Sequence, residues 1–175
     1  MKVPNLLIIA GTGNKSGKTS MACRIIESFP GLRITAIKIT PHFHETTAGL
    51  VVFHEGNGYS IYTETSMESN KDTSRMLKAG ADRVFFTKVW DNSLLTAFTK
   101  IFESIQDGTP VICESPALRN FVDPGMLVIM SSETMHNKKN INHLQSLPHF
   151  SIKLEELSGL RSLPFSFENG EWNIK

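Results

Sequence analysis

At 175 residues the chain is long enough for one domain to bury about two-thirds of its unfolded surface without disulfides or a structural metal. Its 18 basic and 17 acidic residues leave a net charge of +1, which excludes the basic surplus that nucleic acid or an anionic membrane would require of a main partner, so any anion site must be local. No apolar stretch approaches a membrane span, Leu6–Ala10 is too short for a secretory signal, and Cys23 and Cys113 stand in no metal or redox spacing, so a cytoplasmic protein with buried, reduced thiols is expected.

The apolar run Leu6–Ala10 reads as a strand, and it leads directly into Gly11-Thr12-Gly13-Asn14-Lys15-Ser16-Gly17-Lys18-Thr19. From Gly17 or Lys18 to Phe29, the spacing of Met21, Ala22, Ile25, Ile26 and Phe29 predicts a helix that Pro30-Gly31 ends. Ile34–Ile39 is rich in β-branched residues and completes a β-α-β unit. Residues 51–54 and 59–63 flank an Asn57-Gly58 turn and predict an antiparallel hairpin, an insertion or sheet edge spanning about 50–65. A helix over Asp72–Ala79, a strand over Arg83–Val89 and a helix over Asn92–Ile105 follow, then apolar strands over Pro110–Glu114 and Gly125–Met130. A second Asn-Gly turn at Asn169-Gly170 predicts a C-terminal hairpin over about 164–175. The alternation of strand and helix predicts one domain over 1–175 of the α/β class, three-layered with a mostly parallel sheet and an antiparallel hairpin insertion, and the glycine-rich loop between the first strand and helix makes a P-loop NTPase fold the expectation.

The glycine-rich loop stands where a phosphate loop must stand, between a strand and a helix N-terminus. Main-chain amides of Gly13, Asn14, Lys15, Ser16, Gly17, Lys18, Thr19 and Ser20 would approach an anion, Lys18 would reach the β- and γ-phosphates, and the Thr19 hydroxyl would ligate Mg²⁺. Thr12 and the flanking glycines make the loop a variant of the strict G-x-x-x-x-G-K-[ST] pattern. A second acid is needed for the metal, and Glu114, after four apolar residues at the carboxyl edge of a strand, fits that place. Lys38, His42, His44 and Glu45 leave another strand at the same edge. Lys38 or His42 could contact a substrate phosphate and Glu45 could orient water, while a polar loop is the alternative and a zinc site is disfavoured because no third ligand is fixed by spacing. Lys71-Asp72-Thr73-Ser74-Arg75 opens a helix, where either Asp72 or Thr73 caps it or Lys71, Asp72 and Arg75 with the hydroxyls form an anion-recognition patch. Asn137-Lys138-Lys139-Asn140 has the outline of a guanine-reading element but carries an amide where the reading carboxylate belongs, which leaves Asn137 as a candidate base contact.

The loop, Lys38 with the histidines behind it, and Lys71-Asp72-Thr73-Ser74-Arg75-Met76-Leu77-Lys78-Ala79-Gly80-Ala81 together resemble the molybdopterin-guanine dinucleotide biosynthesis protein B family, MobB, over roughly residues 5 to 130. The resemblance implies binding of GTP with Mg²⁺, slow hydrolysis, support of nucleotide attachment to molybdopterin, a partner nucleotidyltransferase and a homodimer. Lys18, Glu45 and Glu114 would be its catalytic residues, and Thr19 with Glu114 its metal ligands. The longer spacing from Gly11-Thr12 to Gly17-Lys18-Thr19 is similar to dethiobiotin synthetase, which implies an ATP-dependent ligase or kinase instead. A nucleotide-dependent adaptor without turnover, or a loop kept only for structure, are the non-enzyme alternatives.

Overall fold

The structure, a computed structural model, describes residues 1–43, 45–134 and 140–175. In chain order its elements are β1 (Lys2–Gly11), α1 (Lys18–Ser28), β2 (Thr35–Thr40), β3 (Leu50–Gly56), β4 (Tyr59–Glu64), α2 (Asp72–Lys78), β5 (Arg83–Val89), α3 (Leu94–Phe102), β6 (Val111–Glu114), β7 (Asp123–Ser131), α4 (Asn142–Gln145), β8 (Phe150–Lys153), α5 (Leu154–Leu157), β9 (Phe165–Glu168) and β10 (Glu171–Ile174). Eight strands form one sheet in the order β3-β4-β5-β2-β6-β1-β7-β8, and β9 and β10 form a separate hairpin. The strands from β5 to β8 along this order run parallel, and β3 and β4 extend the sheet antiparallel beyond β5. Among the described residues no helix is long and apolar enough to cross a membrane.

β1 is central because its sequence can be buried on both faces, with every residue from Asn5 to Gly11 inside. Side chains alternate across the sheet. Leu6, Ile8 and Ala10 join the α3 side chains Leu94, Ala97, Phe98 and Ile101 in one apolar layer, and Leu7 and Ile9 join Met21, Ala22, Ile25 and Ile26 of α1 in the other. Met76 of α2 and Phe165 and Trp172 of the terminal hairpin complete that second layer. Helices therefore lie on both faces of a mostly parallel sheet, the arrangement of a three-layer α/β fold.

Both expected hairpins form, the first as the sheet edge rather than as a separate insertion. The helix expected over Asn92–Ile105 is shorter. It opens with a tight turn at Asp91–Ser93 and closes early, because Ser104 donates its hydroxyl to the Ile101 carbonyl at 2.7 Å while its amide also bonds Ile101. The short elements α4, β8 and α5 are additions to the expected set, and β7 extends to Asp123 and Ser131. In β8 Ile152 alone is fully buried, which gives too little alternation to read as a strand.

Trp172 carries the tail. It is 2 % exposed, donates Nε1–H to the Asn5 carbonyl at 3.0 Å, and packs edge-on against Phe29 and Phe167 with ring centroids 5.5 Å and 5.0 Å away. Trp172→Ala should lower stability by about 3–5 kcal/mol through cavity formation and the unpaired Asn5 carbonyl. Urea unfolding followed by circular dichroism measures this, and a loss below about 1 kcal/mol would mean that the hairpin does not belong to the core.

Candidate functional site

The loop between β1 and α1 is shaped by its glycines. A Cβ on Gly11 would lie 2.1 Å from Ser16 Oγ and 2.9 Å from Lys18 Cγ, so only glycine lets the loop fold back on the strand end. Lys15 (φ 58°) and Gly17 (φ 89°) take left-handed conformations, and Gly17 is the residue that caps α1. A side chain on Gly17 would also meet Leu154 Cδ1 at 2.8 Å, which shows how closely the start of α5 packs on the loop. The first intrahelical bond runs from Met21 N–H to Gly17 O at 2.9 Å, so the amides of Lys18, Thr19 and Ser20 precede the ladder and face the loop.

Lys18 curls over this loop, its ammonium donating to Gly13 O at 3.2 Å and Ser16 Oγ at 3.3 Å. Thr19, one residue on, donates its hydroxyl to Glu114 Oε2 at 2.8 Å. Glu114 ends β6 and is only 5 % exposed, so it is not the solvated strand-end acid that its position alone would allow. Lys38 of β2 stands beside it in register and donates to Glu114 Oε1 at 2.8 Å. The same ammonium reaches Asp72 Oδ2 at 2.5 Å. Arg75, one turn along α2, places Nη1 3.9 Å from Asp72 Oδ1 and donates Nη2–H to Ser20 Oγ at 3.3 Å. Four elements thus converge through one chain of charged and hydroxyl groups.

Burial alone would lower the Lys38 pKa, but the Glu114 and Asp72 carboxylates outweigh it and hold the ammonium above its ordinary 10.5. Burial pushes Asp72 up, and this is overcome by the Lys38 charge and hydrogen bond, a Thr19 hydroxyl contact and Arg75, leaving the carboxyl below 3.8. Both groups are therefore charged at neutral pH. Behind them Glu64, at the end of β4, accepts the Thr73 hydroxyl at 2.8 Å and the amides of Thr65 and Ser66 at 3.1 Å and 2.9 Å, which fixes the segment leading into α2. Thr73 therefore braces α2 against Glu64, and Asp72 serves Lys38. The helix is capped by Lys71 with no side-chain bond, so neither Asp72 nor Thr73 acts as the cap that the sequence allowed.

These groups line a cleft of about 650 Å³ along the carboxyl edge of β1, β6, β2 and β5. Of the residues singled out in the sequence, Asn14, Lys15, Ser16, Gly17, Lys18, Thr19, Ser20, Lys38, His42, Asp72, Arg75 and Glu114 line it. Gly13 is buried beneath, with its carbonyl turned to Lys18. Glu45 and Lys71 are exposed and do not line the cleft. Glu45 lies in the loop after β2 and Lys71 points outward from the start of α2, so the roles expected for them have no geometric support. His44 and Asn137 lie outside the described residues. Sequence reasoning missed Glu64, which sits in no motif, and Leu154, whose approach to Gly17 depends on the unforeseen β8. Cys113 is buried as expected, whereas Cys23 is half-buried, with burial pushing its thiol up to about 11, outside the range of a reactive cysteine.

Among the described residues no group of three or more His, Cys, Asp and Glu is placed to hold a metal ion. The Thr19 hydroxyl and Glu114 carboxylate, with the Asp72 carboxylate across Lys38, are hard oxygen donors. That chemistry fits Mg²⁺ rather than a soft transition metal.

Because the Asp72 pKa is depressed in the native state, its contribution to stability is complete above the ordinary aspartate value of 3.8 and is lost as pH falls through the native value. The stability difference between the wild type and Asp72→Asn should therefore be constant from neutral pH down to about 4 and vanish in stronger acid. Chemical denaturation across this range checks it, and a difference independent of pH would show that the Lys38 pair adds nothing. The chain matches no protein-family model, and no curated protein or solved structure matches it, so the chemistry of the cleft rests on its own geometry.

Proposed function

We propose that the cleft binds a magnesium purine nucleoside triphosphate, GTP by the resemblance to MobB, and hydrolyses it slowly. The observation that carries this reading is the contact of Thr19, at the first turn of α1, with the buried Glu114 at 2.8 Å, beneath a loop crossed by the Lys18 ammonium. Amides of residues 13 to 19 receive the phosphate oxygens, and the helix dipole of α1 adds to their attraction. Lys18, already within the loop, neutralises charge that develops on the transferred phosphoryl group. Thr19 and Glu114 hold Mg²⁺, which when bound supplies positive charge to the phosphate oxygens. Lys38 and Arg75 surround the phosphate end with two further cations, and Asp72 orients Lys38. Glu45 does not line the cleft, whereas Asp91, a carboxylate outside the Lys38 network, does.

In that role the protein supports nucleotide attachment during molybdopterin guanine dinucleotide synthesis, together with a partner nucleotidyltransferase. Val51 and Val52, 57 % and 56 % exposed on the edge strand β3, support the homodimer that the resemblance implies. The second reading is an ATP-dependent ligase or kinase like dethiobiotin synthetase. It is favoured by the reach of the cleft past Glu114 to Val89, Leu94 and Pro116, which leaves room for an acceptor beside the phosphates.

Calorimetric titration with Mg·GTP and Mg·ATP separates the two. The expected result is a preference for GTP and a fall in affinity of about ten- to a hundredfold in Lys18→Ala, the loss of one charge-assisted contact. Preference for ATP would favour the ligase or kinase, and binding of neither nucleotide would overturn the proposal.

A further inference from the structure

We propose that Lys38 is the resident counter-cation of the magnesium site: its ammonium stands between Glu114 and Asp72, bars a free divalent cation, and makes metal entry conditional on nucleotide phosphates. The first part stands on the cleft alone; the conditional part rests on the nucleotide reading.

The register of the sheet places Lys38 there. Lys38 and Glu114 are opposite one another on neighbouring parallel strands, and Ile9 of β1 occupies the same row. Residues in one row project from the same face, here the face that α1 and α2 cover. The Lys38 side chain is 20 % exposed and that of Glu114 5 %, so the ammonium is confined among these groups rather than free in solvent. It binds one oxygen of each acid, Glu114 Oε1 at 2.8 Å and Asp72 Oδ2 at 2.5 Å, while Glu114 Oε2 takes the Thr19 hydroxyl at 2.8 Å. The oxygens that a hard cation would use are thus already engaged by the chain's own donors.

Charge explains the exclusion. Two carboxylates face Lys38 and the nearby Arg75, a balanced set to which an aquated divalent cation would add two positive charges in a partly desolvated cleft. A triphosphate reverses this balance. Its negative oxygens, held by the loop, compensate the metal and offer Lys38 a new acceptor, so the ammonium can leave Glu114 without being stranded. Lys38 thereby selects the metal–nucleotide pair over either free ion, and no covalent step is involved.

The test is titration of nucleotide-free protein with Mn²⁺ alone at neutral pH, with free Mn²⁺ read by electron paramagnetic resonance. Wild type, Lys38→Met, Lys38→Gln and Lys38→Met/Glu114→Gln are compared, with circular dichroism to verify folding. Wild type should bind weakly, and Lys38→Met should bind tighter by about tenfold or more, because a unit positive charge has been removed a few ångströms from the donors. The double variant should lose that gain. Lys38→Gln, which removes the charge but keeps hydrogen-bond donors between the acids, should also bind tighter than wild type and serves if the methionine variant does not fold. Equal Mn²⁺ affinity in wild type and the Lys38 variants, or a gain that survives Glu114→Gln, would overturn the proposal. Failure of the nucleotide titration with a retained Mn²⁺ gain would overturn only the nucleotide reading; nucleotide binding without the gain would overturn only the role of Lys38.

Discussion

Lys38 and Glu114 meet because β2 and β6 are parallel neighbours whose register sets them side by side. Parallel strands end at the same edge, so the last residues of β1, β2, β5 and β6 come together although they lie far apart in sequence. The ammonium and the carboxylate then satisfy one another where water is scarce, and the carboxylate helps to hold the ammonium charged. Remove that pairing and Thr19, Asp72 and Arg75 have no common centre. The rest of the site depends on this one contact.

The surrounding fold holds the pair from both sides. α1 delivers Thr19 to Glu114 because Gly17 turns the chain from the loop into the helix, and Met21, Ala22, Ile25 and Ile26 seat that helix on β1. α2 delivers Asp72 to Lys38, and its approach is fixed by the buried Glu64, whose two oxygens accept one hydroxyl and two amides. A buried carboxylate is costly unless its oxygens are bonded, and those three donors meet that need. The edge hairpin is in this way tied to the cleft through Glu64 and Thr73, one residue from Asp72. On the other side β8 brings Leu154 against Gly17, so the loop is walled by an element that contributes no charged group to the network.

This arrangement is suited to binding an anion by positioning. The loop offers amides and Lys18, the sheet edge offers Lys38, and α2 offers Arg75, while Glu114 and Asp72 prevent those cations from repelling one another in the absence of a ligand. Phosphoryl chemistry asks little more than such placement of charge. The apolar side chains farther along the cleft, Val89, Leu94 and Pro116, are of a different character, with Asp91 lining the same cleft.

The local sequence determined what local forces decide. The apolar run before Gly11, the glycines of the loop, the spacing of Met21, Ile25 and Phe29, and the two Asn-Gly turns each specify backbone geometry within a few residues, and the helices, central strands and hairpins follow from them. Glu114 was legible as a strand-end acid, and Lys38, Asp72 and Arg75 as charged groups at element ends. Their mutual contacts were not, because they depend on which strands become neighbours and in what register, a choice made by burial of β1 on both faces rather than by any residue near the site. The same reason separates Glu45 from Glu114. Glu114 ends β6 at the parallel edge against α1, whereas Glu45 lies in the loop after β2 and is exposed. β8 and α5 escaped the sequence because four residues with one buried side chain carry almost no periodic signal; only pairing with β7 gives them a place, and with it the wall that closes over Gly17.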